Sequence, residues 1–394
     1  MKIQLVPNEL SAKIKVMGIG GAGGNAINDM ITSQVLGVDF VAANTDAQVL
    51  DRSLAPVKIQ LGPGVTKGLG AGGDPEVGRE ATREETERLK QVLQGADMVF
   101  IAAGMGGGTG TGGSPVVAEI SRELGALTVA VVSKPFEFEG KQKRRIADSG
   151  IEELRKVVDT IITIPNDRLL SLSSKNSRLK DVFAMANEVL GFAVRGISDL
   201  IMVPGFMNVD FADVRTVMKE RGMALMGTGI ASGGNRAADA ANKAISSPLL
   251  EDISIRGARG ILVNITASPD ITMEEFKEIG GIVQNEAHED AIIKVGLVYD
   301  DGLGEEIRVT VIATGIGKRS VAVETPAWTA PAASTMMEED LDIPTILRRD
   351  AADARKGERP AAMGVAGARK NIVHPDLQYE ESELDVPPFL RKAD

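Results

Sequence analysis

Short apolar runs alternate with longer stretches of helical periodicity through the first half of the chain. Ile14–Met17, Val38–Ala43, Met98–Ala103, Ala126–Ser133 and Ile161–Ile164 read as buried strands. Helical stretches follow them: one through Met30 and Ile31, one from Pro75 to about Gln94, one opened by Ser114-Pro115 and ending near Leu124, and one rich in Lys and Arg after Gly140. Ser before Pro is a helix-start signal, with Pro at the first helical position. This alternation predicts an α/β fold with a doubly wound, mostly parallel sheet. From Leu179 to about Val203 apolar residues fall on every face, which predicts a long central helix buried between two domains. Beyond Pro204-Gly205, strands at Arg259–Thr266, Lys294–Tyr299 and Ile307–Ala313 predict a smaller α+β domain, with helices near 233–246 and 273–285.

After Gly317 the periodicity stops, and about Val323 to Pro375 reads as disordered linker. The expected organisation is a flexible N-terminus (1–11), a first α/β domain (12–178), a central helix (179–203), the second domain (204–317), a disordered linker (318–383) and a terminal peptide (384–394). Two apolar islands interrupt the tail, at 340–348 and 384–392. They share a D-[IV]-P-x-[IF]-L-R core, the pattern of segments that order on a partner.

Glycine changes the picture. Five of the seven residues Gly106 to Gly112 are glycine, and they sit between a strand and a helix. So little Cβ bulk lets backbone N–H groups approach a ligand, and a phosphate chain is the obvious guest. Gly18, Gly20 and Gly23 satisfy G-x-G-x-x-G, also between strand and helix. A third run, Gly68 to Gly73, precedes the Asp74-Pro75 helix start. Three such loops suggest a triphosphate enclosed on several sides. No G-x-x-x-x-G-K-[ST] occurs, so the chain is not a P-loop protein. The G-x-G-x-x-G alone would equally suit a nicotinamide-dependent oxidoreductase, but that reading leaves the other two loops unexplained.

Net charge is −11, which argues against adhesion to nucleic acid or anionic lipid. Cysteine is absent, which excludes thiolate chemistry, and the presence of only His288 and His374 argues against a multi-histidine metal site. The N-terminus lacks the apolar region of a signal peptide, and no apolar run reaches membrane-spanning length. A cytoplasmic protein without membrane insertion is expected.

Several polar residues admit two readings. Asn44-Thr45-Asp46, at the end of a strand, suits ligand binding or a helix N-cap. Asn187, within the long helix, suits a packing hydrogen bond. Asp210 and Asp213 have the spacing of an N-cap and its capping-box acid.

Taken together, Gly106–Gly112, Gly20–Asn25, Asn208–Asp213 and the peptide Leu384–Lys392 resemble the tubulin/FtsZ GTPase family over about residues 12–317 and the last dozen. The resemblance implies a GTPase that polymerises head to tail and builds a division ring at mid-cell. A tubulin-like scaffold that binds GTP without hydrolysis is the alternative, and retention of both Asp210 and Asp213 speaks against it. Gly20, Gly21, Ala22, Gly23, Gly24, Asn25, Gly104, Gly107, Gly108, Thr109, Gly110, Thr111 and Gly112 would hold the phosphates. Ala71, Gly72 and Gly73 would lie near the γ-phosphate. Glu139 would bind the ribose, Asn166 and Asn187 would meet guanine, and Asn44, Asp46, Pro135 and Phe183 would also belong to the GTP site.

Asn208, Asp210 and Asp213 would act in trans on the neighbouring subunit's nucleotide. Mg²⁺ would be held through phosphates and water. Lys143 stands where the family has arginine, which keeps the charge but loses the bidentate fork; Arg144 is the other candidate. The terminal peptide would bind membrane-tethering division proteins such as FtsA. The inner copy at 340–348 is expected to bind as well, with avidity from the short tether.

Overall fold

A computed structural model describes residues 12–172, 178–203, 205–219, 222–248 and 257–316. The N-terminal segment, the linker and both tail islands lie outside the described residues.

The first half alternates β1 (Ile14–Ile19), α1 (Gly20–Thr32), β2 (Val38–Asn44), α2 (Ala47–Asp51), β3 (Val57–Gln60), α3 (Pro63–Thr66), α4 (Pro75–Glu84), α5 (Thr86–Leu93), β4 (Met98–Gly104), α6 (Thr109–Glu123), β5 (Leu127–Lys134), α7 (Lys141–Val157), β6 (Thr160–Pro165) and α8 (Asn166–Leu172). The second half holds α9 (Leu179–Met202), α10 (Phe211–Met218), β7 (Gly222–Ala231), α11 (Arg236–Ile245), β8 (Gly260–Ala267), α12 (Met273–Glu286), β9 (Ile292–Tyr299) and β10 (Ile307–Ile316).

One sheet carries all ten strands in the order β3-β2-β1-β4-β5-β6-β7-β10-β8-β9. Pairing is parallel from β3 to β7, and β10 runs antiparallel to both its neighbours. The inner strands are continuous apolar runs because helices cover both faces of a parallel sheet; Met98 to Ala103 are all buried. One face packs on α1 and α9, and the other on α4 to α7. Strand order reverses between β1 and β4, and ligands of open α/β sheets bind at the carboxyl ends of strands at such a switch point. The register makes those ends flush: Ile19 lies between Ala43 and Ala103, Gly104 opposite Ser133, and Lys134 opposite Pro165.

The structure corrects several expectations. The strands of the second half do not form a separate small sheet, because β7, absent from the sequence reading, joins β6 at one edge and β10 at the other. The stretch from Pro75 to Gln94 is two helices interrupted at Glu85. α6 begins at Thr109, so Pro115 lies inside the helix rather than at its start. Likewise Gly20 already belongs to α1, and the first glycine run is helix rather than loop. α9 is not buried all round: Val182, Ala186, Leu190, Val194 and Ile197 form its buried stripe, whereas Met185, Val189 and Phe192 face a cleft toward β7 and α11.

Candidate functional site: a cleft at the strand ends

Two helices begin side by side at the switch point, and neither has a side-chain cap. α1 starts after Ile19 and α6 after Gly108, with no capping bond at either. Asp46, Asp74 and Thr272 cap α2, α4 and α12 through their side chains, while α3, α5, α7, α9, α10 and α11 also lack such a bond; what sets α1 and α6 apart is that their open starts face each other across glycine turns. The first N–H groups of an α-helix have no intrahelical partner. Here they are left to a ligand, and two positive dipole ends meet at one place. The helices can approach because Gly20 carries no side chain: a Cβ there would stand 3.1 Å from the Gly110 nitrogen.

The cleft between them encloses about 250 Å³. Of the residues expected to bind nucleotide, Gly20, Gly21, Ala22, Gly104, Gly107, Gly108, Thr109, Gly110, Pro135, Glu139, Lys143, Asn166, Phe183 and Asn187 line it. They arrive from six elements, α1, β4, α6, α7, α8 and α9, and from the turns after β4 and β5. Ser133, Met105 and Ala186 also line it and were missed from sequence. Ser133 could have been found: it closes an apolar strand at the sheet's carboxyl edge, the same signal that picks out Asn44.

The other expected residues lie outside the lining, for identifiable reasons. Gly23 and Gly112 serve packing. A Cβ on Gly23 would overlap the Ala102 carbonyl oxygen, and one on Gly112 the Pro75 carbonyl oxygen. Thr111 turns inward, where its Oγ1 accepts from the Gly106 N–H at 2.9 Å and closes the loop. Asn44 accepts from the Asp46 N–H, and Asp46 caps α2. Thr45, between them, meets Thr109 Oγ1 at 2.6 Å and ties this corner to α6. Ala71 packs at Gly108, which brings the exposed Gly72 and Gly73 beside the cleft mouth. Gly24 and Asn25 follow on the first turns of α1.

At the other end of the cleft the surroundings are aromatic and amide. Phe136 stacks on Phe138, with ring centroids 5.0 Å apart, and Phe183 meets Phe136 edge-on at 5.2 Å. Glu139 is held on both sides, accepting from the Phe136 N–H at 3.0 Å and from Lys143 Nζ at 3.2 Å. Lys143, not Arg144, faces the cleft. Asn166 is 5% exposed, and among the described residues its Oδ1 has no hydrogen-bond partner. A buried amide oxygen left unpaired is costly, so it is a vacancy for a donor on a ligand.

The loop after α9 lies at the far end of that helix. Val209 N–H donates to the Leu200 carbonyl, and Met207 pairs with Leu297 of β9. Asn208 is spent on local structure, accepting from the Gly205 N–H at 2.7 Å and donating to the Val203 carbonyl. The capping reading of the two acids fails. Asp210 occupies the N-cap of α10, but its carboxylate makes no capping bond and is exposed. Asp213 instead pairs with Lys294 Nζ at 2.9 Å. Both acids are therefore free of the structural duty that would have explained them.

Uncapped helix starts, glycine turns and an orphaned amide at a sheet switch point define a nucleotide-binding α/β protein. Residues 13–174 match the family described as Tubulin/FtsZ family, GTPase domain, and residues 222–317 match the FtsZ family, C-terminal domain. The chain is 51% identical to the cell division protein FtsZ of Pseudomonas putida and 50% identical to that of Coxiella burnetii; these alignments cover 97% or more of each chain. An FtsZ dimer structure from M. jannaschii superposes with a TM-score of 0.76 at 45% identity, covering 79% of this chain and 90% of that one. CetZ2 from Haloferax volcanii, at 21% identity and a TM-score of 0.65, shares the fold. The chain belongs to the FtsZ family of tubulin-like GTPases. It binds GTP and GDP, hydrolyses GTP to GDP and phosphate, and serves cell division through the filaments that this family forms. The oxidoreductase and non-hydrolysing readings are not favoured. No helix among the described residues is long and apolar enough to cross a membrane.

Proposed function

We propose that the cleft holds only half of the hydrolytic site, and that the 208–213 loop of a second copy supplies the rest. One observation carries this reading. Phe183 and Asn187 line the cleft near the start of α9, whereas the loop is fastened to Leu200 near its end. At 1.5 Å per residue these points lie about 20–26 Å apart along the helix. No loop movement within one subunit brings Asp210 or Asp213 to a phosphate across that span. Head-to-tail stacking does, and a heterologous contact that does not close yields a filament.

In this reading the N-terminal turns of α1 and α6 cradle the phosphates, with Gly72 and Gly73 at the γ end. The Asn166 Oδ1 accepts from a guanine N–H, Phe183 lies against the base, and Glu139 meets the ribose. No cluster of three His, Asp or Glu side chains among the described residues could hold a metal ion. Mg²⁺ would be carried by the phosphates and water, offsetting their charge. Asp210 and Asp213 orient and polarise the water. Its oxygen forms the new bond to the γ-phosphorus as the bridging bond to the β-phosphate breaks.

Residues 12–178 thus bind nucleotide, and 204–317 carry the acids. Asn208 contributes by holding the loop's shape. The peptide 384–392, and with it 340–348, tethers the filament at mid-cell to a membrane-bound partner such as FtsA; both segments lie outside the described residues. GTP turnover per subunit, followed against protein concentration, tests the shared site. Negligible turnover when dilute, rising above a threshold, is expected. Specific activity that stays flat on dilution overturns it.

A further inference from the structure

We propose that Lys294 is a positioning residue for the acid loop: it holds the Asp213 carboxylate and offsets one of the two negative charges that the loop presents to a neighbour's triphosphate. This rests on the shared-site reading above. Lys294 interrupts an otherwise apolar strand, Ile292-Ile293-Lys294-Val295-Gly296-Leu297-Val298. A lysine in such a run calls for a reason, and its Nζ lies 2.9 Å from Asp213 Oδ2. The pair is partly covered, with side chains 34% and 42% exposed.

β9 is the edge strand of the sheet, and it braces the loop at three points within four residues. Leu297 exchanges two backbone hydrogen bonds with Met207, at 2.9 and 3.3 Å. Gly296 makes room for the Leu200 side chain of α9 and for the loop, since a Cβ there would overlap the Leu200 side chain and stand 3.1 Å from the Met207 carbonyl oxygen. Lys294 then takes the carboxylate itself. The backbone contacts fix the loop's path, and the ion pair fixes the orientation of one acid on it. Among the described residues no cation is paired with Asp210, which is exposed.

The charge argument follows from what the loop must dock against. Two carboxylates approaching a triphosphate repel it. Pairing one of them with an ammonium reduces the loop's charge from −2 to −1 without removing either acid. Docking also covers the pair, and a pair shielded from water is screened less than an exposed one. Charges at the margin of an interface act mainly on association and on its salt dependence.

The test compares wild type, Lys294→Gln, Lys294→Arg and Asp213→Ala as full-length chains. Four readings are taken on each: GTP affinity when dilute, threshold concentration for sedimentable polymer, turnover above threshold, and the dependence of the threshold on KCl. For Lys294→Gln the expected result is unchanged GTP affinity, a threshold raised roughly three- to tenfold, lower turnover and a shallower decline of assembly with salt at low ionic strength. Lys294→Arg restores threshold and turnover. If Lys294→Gln leaves threshold, turnover and salt dependence at wild-type values while Asp213→Ala abolishes turnover, Lys294 is a solvated lysine and this inference alone falls. The same holds if Lys294→Gln weakens nucleotide binding as well, since the defect is then one of folding. If Asp213→Ala hydrolyses GTP normally, the shared-site reading falls and the inference with it.

Discussion

The two ends of α9 are built in opposite ways. Around Phe183 and Asn187 the receptor is mostly backbone: two uncapped helix starts, glycine turns and one orphaned amide, with Lys143 the cation facing the cleft. Around Leu200 the working groups are side chains, two carboxylates on a short loop braced by β9. A backbone receptor is preorganised for a polyanion and needs no charge of its own. A carboxylate pair would repel the same anion if it shared the cleft permanently. On the shared-site proposal, keeping the two sets about 20–26 Å apart would let nucleotide bind without hydrolysis and would reserve the acids for a second subunit.

The sharpest way to break that contrast is at the acid end. Asp213→Ala is expected to lower turnover on the order of 10²-fold or more while leaving GTP affinity unchanged. Mixing it with a variant impaired only at the cleft should restore part of the activity, because some contacts then pair an intact cleft with an intact loop. Additive, uncomplemented activity in the mixture would return both roles to one subunit.

At the cleft end the glycines divide into two kinds. Gly112→Ala drives a methyl into the Pro75 carbonyl, and a loss of about 3 kcal/mol in stability is expected, read as a lowered denaturant midpoint. Gly107 has open space around its Cβ position, so Gly107→Ala should keep the midpoint and weaken GTP binding. Equal effects of both substitutions on stability would erase the distinction between packing and cradling glycines.

Asp199 lies one turn before the end of α9, in a hollow shared with Arg195, Arg308 and Asp300. Burial raises its carboxyl from 3.8 to about 6, against the opposing pull of Arg195 and Arg308, with Asp300 pushing the same way as burial. A folded-state value above the unfolded one is the reverse of the usual acid. Its contribution to stability is fully present below about pH 4 and is lost as pH rises through about 6. Asp199→Asn should therefore gain about 2–3 kcal/mol near pH 8 and nothing near pH 4. Thermal midpoints at the two pH values decide it, and a gain that is the same at both would remove the carboxyl from the account.

The smallest effect belongs to Asn166. Replacing it by Ala is expected to weaken GTP about tenfold, with little change in the stability of the nucleotide-free protein, since its Oδ1 has no protein partner to lose. Unchanged affinity with a clear drop in stability would make Asn166 a packing residue instead.

Much of the cleft was legible from sequence because its features are local. Glycine runs between an apolar strand and a helix state their own geometry, and parallel strands buried on both faces are continuous apolar words. What failed was also local in origin. Ser114-Pro115 carries a helix-start signal that α6 overrides, since the helix begins at Thr109 where the glycine turn ends. The capping spacing of Asp210 and Asp213 is real, yet neither side chain caps α10, because Lys294 on a strand some eighty residues later takes one of them.

By itself the sequence determined the alternation of strands and helices and the glycine turns between them, which depend on neighbours within a few residues; Asp210 and Asp213 read from their spacing only as caps. Only the tertiary structure decided which glycines face the ligand and which face Pro75 or Ala102, that β7 joins all ten strands into one sheet, and that the cradle and the acids sit at opposite ends of one helix. Those outcomes depend on which distant backbones come into contact. Packing settles that globally, so no short stretch of chain encodes it.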